Sequence, residues 1–560
     1  MKMTGAEALL KILEGYGIKH IFGYPGGAVL PLYDAILKND NIEHILVRNE
    51  QAGAHAAAAY GKHLGIAGVC IGTSGPGATN LVTGIANAYM DSIPLIAITG
   101  QVDASFIGRD AFQEADITGI TMPVVKHNYL VKNPKKLIDT IYEAWHIANT
   151  GRKGPVLIDI PRNVFEAIVD FEPKVEEVSL QSYKPTVKGN KSQIKKAIKM
   201  INSSAKPLLL VGGGVLFSQA GDEVKQIVDE FKIPVASTLM GIGSYDETKE
   251  LALGMIGMHG KPYANYAVHH CDLLISIGTR FGDRATGSLS KFAKEAKVIH
   301  IDIDPAEIGK NVVVDLPIVG DAKGILKELI EGLEQVDRAE WIEKVSELKA
   351  RNKMKLHKTN LNPQLIISKL GELTRGKAYV STDVGQHQMF TAQYYGFSEY
   401  NSFYTSGGLG TMGFGVPAAE GVALASDRKR PVFCITGDGS FQMNMAEMAT
   451  MGEHNLPVKI VLMNNSSLCL VKQLQHFQCE RRYSEVGFTG NPDFKALAES
   501  YPNMVTYRIE KEEDIEPVIL EAMSHNKPTL IECVISDENL VYPIVPAKKG
   551  LDEMIGVEKW

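Results

Sequence analysis

Two short signatures a fixed distance apart constrain this 560-residue chain more than any other feature. Gly437-Asp438-Gly439 is followed, after 24 intervening residues, by Asn464-Asn465. An apolar run precedes each one, Pro431–Thr436 and Val458–Met463, and both runs read as buried strands. The sequence between them is apolar and helical. Parallel neighbours need a crossover of a dozen or more residues, so the spacing predicts two parallel strands joined by a helix. Asp438 and Asn465 would then meet at the carboxyl edge of the sheet. One carboxylate and one amide oxygen make a hard-oxygen half-site, suited to Mg²⁺ that also takes oxygens from a diphosphate.

The rest of the chain sets bounds on that reading. Its length predicts about three domains. A net charge of −7 argues against a general nucleic-acid binder. The six cysteines are scattered with no C-x-x-C pair, which predicts free thiols in a reducing compartment. An amphipathic helical pattern begins at Thr4, leaving no room for a signal or transit peptide, and no run of eighteen apolar residues occurs. The expectation is a cytoplasmic protein that does not enter membranes.

Strand-like and helical stretches alternate in three blocks, so the expected fold is α/β, with three doubly wound parallel-sheet domains. The blocks are 1–170, 190–335 and 362–560. Glu172 to Lys191 reads as linker, and Arg338 to Thr359 as a charged helix and linker with a solvated face. Whether the first and third blocks share a structure is open at this stage.

Several constellations lie at expected strand ends. Glu50 follows the strand His44–Arg48 and opens the Ala-rich helix Ala52–Lys62. It is either a helix N-terminal carboxylate favoured by the macrodipole or a group that works on a ligand. Phe22-Gly-Tyr-Pro-Gly-Gly-Ala28 and Gly72-Thr-Ser-Gly-Pro-Gly-Ala-Thr-Asn80 are glycine-rich turns, and N–H groups of the first could form an oxyanion donor pair. Asp383-Val-Gly-Gln-His387 follows the strand Ala378–Ser381. Met412 stands in a glycine-rich stretch, Gly407–Gly415, where it is either core filler or a ligand contact. Gly212-Gly213-Gly214 and Asp302-Ile-Asp304 end strands of the middle block, where backbone could approach a pyrophosphate and carboxylates could meet ribose hydroxyls.

The Gly-Asp-Gly to Asn-Asn layout resembles the thiamine-diphosphate motif. Nearly the whole chain resembles the acetohydroxyacid (acetolactate) synthase catalytic subunit family, through runs such as FGYPGGAVLPLYD, TSGPGATNLVTGIA, IGRDAFQEADI, RFGDR, HIDIDPAEIGKN, DVGQHQM, GGLGTMGFG and GDGSFQMN. The resemblance implies pyrimidine-binding, central FAD-binding and diphosphate-binding domains. It implies an enzyme that decarboxylates pyruvate on thiamine diphosphate and transfers the hydroxyethyl group to a second 2-keto acid. The product would be 2-acetolactate, and with 2-ketobutyrate 2-aceto-2-hydroxybutyrate, in branched-chain amino acid biosynthesis. Glu50 would activate the cofactor through N1′ of its pyrimidine, with the bond-making chemistry belonging to the cofactor itself. Gly27 would face the developing oxyanion, and Gln101 and Lys132 would line the substrate channel. Val384, Gly385, Gln386 and His387 would contact the diphosphate arm or thiazolium, with Gly437, Gly439 and Ser440 beside them. Met412 would hold the cofactor bent. Asp438, Asn465 and the carbonyl of Ser467 would bind Mg²⁺.

FAD, with no net redox step to perform, would be structural. It would contact Arg152, Gly212, Gly213, Gly214, Thr238, Leu239, Met258, His259, Arg280, Asp302 and Asp321. Arg284 would recognise the carboxylate of the second 2-keto acid, a bidentate task suited to guanidinium, unless it is only a surface ion pair with Asp283. The resemblance also implies a homodimer or tetramer, with the amino block of one subunit meeting the carboxyl block of another; whether a small regulatory subunit binds is open in the sequence.

The chain departs from the family around the substrate. Leu474 replaces a tryptophan tied to 2-ketobutyrate preference, and Cys469 and Leu470 replace a Gly-Met pair. Asp103 stands for Pro, Asn49 for His, and Lys548-Lys549 for small residues. These changes keep a second reading open, a paralogous thiamine-diphosphate carboligase or C–C lyase with another acceptor.

Overall fold

The computed structural model describes residues 1–174, 178–354, 356 and 361–557. The expected linker at 172–191 lies partly outside these residues, at 175–177, and so does the end of the 338–359 segment, at 355 and 357–359.

Three six-stranded sheets carry the chain, each entirely parallel. In the first block His20–Gly23 lies between Glu43–Leu46 and Gly68–Gly72, followed by Leu95–Gln101, Pro155–Pro161 and His127–Leu130. In the third, Tyr379–Thr382 lies between Phe403–Tyr404 and Val432–Gly437, followed by Val458–Asn464, Thr529–Val534 and Val505–Ile509. With strands numbered along each block, both orders are 2-1-3-4-6-5. The middle block differs: Pro207–Val211 has Val235–Ser237 and then Ala252–Met255 on one side, and Leu273–Ile277, Lys297–Asp302 and Leu316–Val319 on the other. Its order is 3-2-1-4-5-6. The central strands are continuous apolar runs because helices cover both faces of a parallel sheet.

Each sheet has one place where successive strands depart to opposite sides of the first strand, opening a crevice at the carboxyl edge. In the first block it lies between His20–Gly23 and Gly68–Gly72, and in the middle block between Pro207–Val211 and Leu273–Ile277. In the third it lies between Tyr379–Thr382 and Val432–Gly437.

The first and third blocks meet along two helices, Glu50–Leu64 and Gly415–Ala425. The seam is made of small residues for a steric reason. A Cβ on Gly421 would sit 2.0 Å from the Ala56 carbonyl oxygen. His55 is fully buried there, edge-on to Phe414.

Two features differ from the sequence expectation or extend it. The helix Ala339–Arg351 is not a solvated face: Trp341, Val345 and Leu348 are buried on the middle block, and Trp341 Nε1 donates to the Pro207 carbonyl at 2.9 Å. Those three residues are spaced four and three apart, a narrow apolar stripe among charges that one turn-by-turn face suffices to bury. In addition, the chain beyond Tyr542 returns to the middle block. Val545 N–H donates to the Met258 carbonyl, and Leu551 and Met554 join the same apolar cluster as Phe281 and Phe292. Among the described residues no helix is long and apolar enough to cross a membrane.

Candidate active site

The acid–amide corner forms where the spacing predicts it. Val432–Gly437 and Val458–Asn464 are parallel neighbours, with Gly437 opposite Met463, so Asp438 and Asn465 leave adjacent strand ends. Asp438 is buried, and burial pushes its carboxyl above the ordinary value, partly offset by hydrogen bonds from Asn491 and from the N–H groups of Gly439 and Ser466. A buried carboxylate with that desolvation penalty favours a cation beside it. Asn465 Oδ1 accepts from Ser467 N–H at 3.2 Å, which folds the Asn465–Ser467 turn back on itself. Ser467 pairs with Gly487, and a Cβ on Gly439 would press on Leu468 at 2.6 Å. The turn is thereby held close over the Gly-Asp-Gly corner.

Asn491 is a member of this corner that sequence reasoning misses. Its Nδ2 donates to Asp438 Oδ2 at 2.7 Å, and its Oδ1 accepts from Gln442 at 3.1 Å. It fixes the rotamer of the one carboxylate in the corner. Its position in Gly490-Asn491-Pro492-Asp493, just ahead of a helix, is the only local signal, and that signal reads equally well as a turn.

The neighbouring strand end supplies the other wall. Gly385 caps the helix Gln386–Tyr394, and its N-terminus, a place of free N–H groups and positive dipole, faces the crevice edge. His387 lies over both strand ends. A Cβ on Gly385 would meet its ring at 2.6 Å and one on Gly437 at 3.1 Å. Burial lowers His387 to about 4, so it is a neutral imidazole, and its Nε2 has no hydrogen-bond partner among the described residues. Gln386 is tied to Gln473 and to the Asn539 carbonyl. The Val384 carbonyl accepts from Ser440 Oγ at 3.3 Å. Asp383 sits below, fully buried and raised to about 6 by burial, with Thr436 and backbone N–H groups of Gly413–Gly415 as partners. Met412 is half-buried in the turn that those N–H groups anchor, between Gly410 and Gly413 with φ of +72° and +84°.

In the first block Glu50 is 9% exposed and its Oε2 accepts from Asn80 Nδ2 at 2.9 Å. Asn49, a departure from the family, is the N-cap: its side chain accepts from Gln51 N–H at 2.8 Å. Gly26 and Thr73 bring the two crevice loops together, since a Cβ on Gly26 would overlap Thr73. Gly27 is open, and a Cβ there would meet nothing within 4 Å. Lys132 is exposed. Gln101 turns inward: Nε2 donates to the Ala115 carbonyl and to Asp159, and Oε1 accepts from Val102 N–H. Asp103 caps its own turn by accepting from Ser105 N–H and Oγ. Among the described residues no hydrogen bond or ion pair joins Glu50 to Asp438, His387 or Met412. Besides the helix seam, the first and third blocks touch through Arg48, whose N–H donates to buried Glu447 at 2.8 Å.

The middle-block residues also gather at a crevice. Gly212 and Gly214 have no room for a side chain because the Gly278 backbone lies 2.2 Å and 2.6 Å from where Cβ would be, whereas Gly213 is less crowded. Thr238 precedes the short turn Leu239–Gly241 after the next strand, and the Ser237 hydroxyl beside it is buried without a partner among the described residues. Asp302 is raised to about 7 by burial. Asp321 caps a helix and accepts from Ser218. Arg152 is engaged by Asp304 and Glu307 at 3.0 Å and 2.7 Å. His259 bonds the Pro543 carbonyl, and Arg280 the Met90 carbonyl. Arg284 is exposed, 4.0 Å from both Asp283 and the Met258 sulfur.

Two parallel-sheet blocks of one strand order, one offering a buried carboxylate and the other a hard-oxygen corner beside a helix N-terminus, define the architecture of a thiamine-diphosphate enzyme. Comparison with known families agrees. The N-terminal, central and C-terminal thiamine pyrophosphate enzyme domain models match residues 3–120, 194–329 and 383–533. The probable acetolactate synthase large subunit of Methanocaldococcus jannaschii is 49% identical over 99% of this chain and 95% of its own length. The acetolactate synthase large subunit of Haemophilus influenzae is 45% identical over 99% and 98%. The chain belongs to the acetolactate synthase large-subunit family of thiamine pyrophosphate enzymes.

Proposed function

We propose that this protein is an acetolactate synthase, joining two molecules of pyruvate into 2-acetolactate with loss of CO₂. The observation that carries the reading is the Asp438–Asn465 corner beside a switch point, paired in one chain with a block of the same topology that presents buried Glu50. Bound thiamine diphosphate would supply the nucleophilic carbon and the electron sink that decarboxylation requires. Asp438, Asn465 and the Ser467 carbonyl would hold Mg²⁺, and the buried, desolvated carboxylate and the chemistry of these oxygens fit that ion. Partner-free His387 Nε2 and the Gly385–Gln386 helix start would meet the diphosphate side. Glu50, oriented by Asn80, would hold a proton at the pyrimidine ring nitrogen. Met412, in a turn fixed from below by Asp383, would support the cofactor from beneath. Gly27, Gln101 and Lys132 would border the substrate, and Arg284 would take the carboxylate of the second 2-keto acid.

FAD is proposed for the middle crevice, where Gly213 and Gly214 are half-buried and the Ser237 hydroxyl lacks a partner among the described residues. A homodimer or tetramer is proposed as the active form, because among the described residues no hydrogen bond or ion pair joins Glu50 to the third-block site within one chain. Phe106, Phe112 and Met122, exposed by 52%, 88% and 68%, offer apolar surface for such an interface. A small regulatory subunit and a cytoplasmic location complete the proposal.

A second reading, the same scaffold with another acceptor, is favoured by Leu474, which is 40% exposed beside exposed Phe477. Product analysis by NMR decides between them, using enzyme saturated with thiamine diphosphate, Mg²⁺ and FAD. Pyruvate alone should yield 2-acetolactate and CO₂, with the flavin absorbance unbleached. Free acetaldehyde as the main product, or no turnover of pyruvate, would sink the first reading.

A further inference from the structure

Apart from the three crevices, the blocks meet around a cavity of about 640 Å³. Its wall takes Lys62 and His63 from the first block, Ser244 and Lys323 from the middle one, and Tyr400 and Asn401 from the third. None of Glu50, Asp438, His387, Met412 or Gly212–Gly214 lines it. Lys62 lies twelve residues along the helix that Glu50 opens, which at 1.5 Å per residue is roughly 18 Å away.

The acids in this wall already have partners. Asp229 is paired with Lys225 and accepts from the Tyr245 hydroxyl. Asp246 accepts from Thr248 N–H and Oγ1. Asp222 stands in the first turn of the helix Gly221–Phe231, against its positive end. Of the wall's lysines, Lys225 is the one paired with Asp229, and the other three have no ion pair among the described residues. Lys62, 6% exposed, donates to the Phe403 carbonyl and lies 5.1 Å from the Tyr404 ring centre. Lys323 donates to the Gln219 carbonyl, and Lys249 is exposed at the rim. A carbonyl and a ring solvate Lys62, and a carbonyl solvates Lys323, without neutralising either. The one carboxylate that acts on Lys62 is Asp91, which the N–H groups of Gly407 and Gly408 already hold.

Two further polar groups in the wall are unanswered. The Ser244 hydroxyl is 98% buried, and neither it nor Asn401 Oδ1 has a hydrogen-bond partner among the described residues. A buried polar group without a partner is uncommon, so it points to a missing contact. Tyr245, Tyr379 and Tyr400 add ring surface to the same wall.

We propose that this three-block cavity is a second ligand site, taking an organic phosphate of nucleotide size. Its phosphate oxygens meet Lys62, Lys249 and Lys323, its polar edge meets Ser244 and Asn401, and its ring lies against the tyrosines. Because all three blocks form the wall, occupancy ties the middle block to the outer two.

Calorimetric titration of ATP into enzyme saturated with thiamine diphosphate, Mg²⁺ and FAD tests this, since the other crevices are then filled. ATP should bind at micromolar to submillimolar concentration, and inorganic pyrophosphate more weakly. The double variant Lys249→Glu, Lys323→Glu should bind ATP at least tenfold more weakly while its affinity for thiamine diphosphate is unchanged. No ATP binding at several millimolar, or equal ATP binding by the double variant, overturns the site. Pyrophosphate binding as tightly as ATP overturns the nucleotide-sized ligand and leaves only a phosphate patch.

Discussion

The first and third blocks have one strand order and opposite chemistry. Both place their switch point beside the first strand, and both run a helix of small residues into the seam between them. The first block brings a buried carboxylate, Glu50, to its crevice loops, oriented by Asn80 at the start of a helix that follows an outer strand. The third block places its polar groups on the two central strand ends, with Asp438, His387 and the Asn465 turn converging there. The difference is one of loops, since the sheets offer the same edge. A parallel sheet fixes where a ligand can lie, and the connections at its carboxyl edge decide which charge that ligand meets. The middle block makes the same point in reverse, because its 3-2-1-4-5-6 order opens a crevice between different strands.

The comparison can be broken most sharply at Glu50. Glu50→Gln should fold as the parent does, with an unchanged circular dichroism spectrum, and lose about 10²–10⁴-fold in turnover, the range typical of a positioned acid or base. Near-parental turnover at saturating thiamine diphosphate would strip the first block of its chemical part. The counterpart in the third block is Asp438→Ala, which should weaken Mg²⁺ and thiamine diphosphate together by on the order of 100-fold, because the ion joins protein and diphosphate. Calorimetry in Mg²⁺ buffer reads this directly, and unchanged affinity for thiamine diphosphate would refute the metal assignment.

Asn491→Ala sharpens the contrast between a group that touches the ion and one that only aims it. Loss of such an outer partner should weaken Mg²⁺ about 10-fold to 100-fold. Asn491→Asp, which cannot donate to Asp438 as a carboxylate, should not restore it, whereas Asn491→Gln should restore part. Equal Mg²⁺ affinity in Asn491→Ala would make the 2.7 Å contact incidental.

The smallest expected effect concerns Asp383, at the floor of the third crevice. Asp383 titrates at about 6 in the folded chain against 3.8 for an ordinary aspartate, because burial disfavours its charge. Between those values the folded chain keeps a proton that the unfolded chain has lost. Stability must therefore fall as pH rises from about 4 to about 6 and stay level above. Asp383→Asn should remove that share of the fall, a difference of a few degrees in Tm across the window. Identical Tm–pH curves for parent and variant would show that Asp383 carries no such shift.

Much of this was legible in the residues themselves. The apolar runs around Gly437-Asp438-Gly439 and Asn464-Asn465 are local, and a crossover of fixed length leaves few ways to arrange them, so the corner could be drawn from spacing. The helix opened by Glu50 was legible for the same reason. Asn491 was not, because it approaches Asp438 from 53 residues away through a loop whose path no local period encodes. Gln101 is similar, since its inward turn depends on Asp159 in a neighbouring strand.

By itself the sequence determined the α/β class, the three blocks, and which residues stand at strand ends, because hydrophobic period and glycine placement act over a few residues. Only the tertiary structure decided that the first and third blocks share a topology and the second does not. Strand order is set by pairing between segments far apart in the chain, and every order buries the same apolar runs. It also decided that the Ala339–Arg351 helix packs by way of Trp341 and that the segment after Tyr542 returns to the middle block. In both cases a few apolar residues among charges find a partner that only the assembled fold provides.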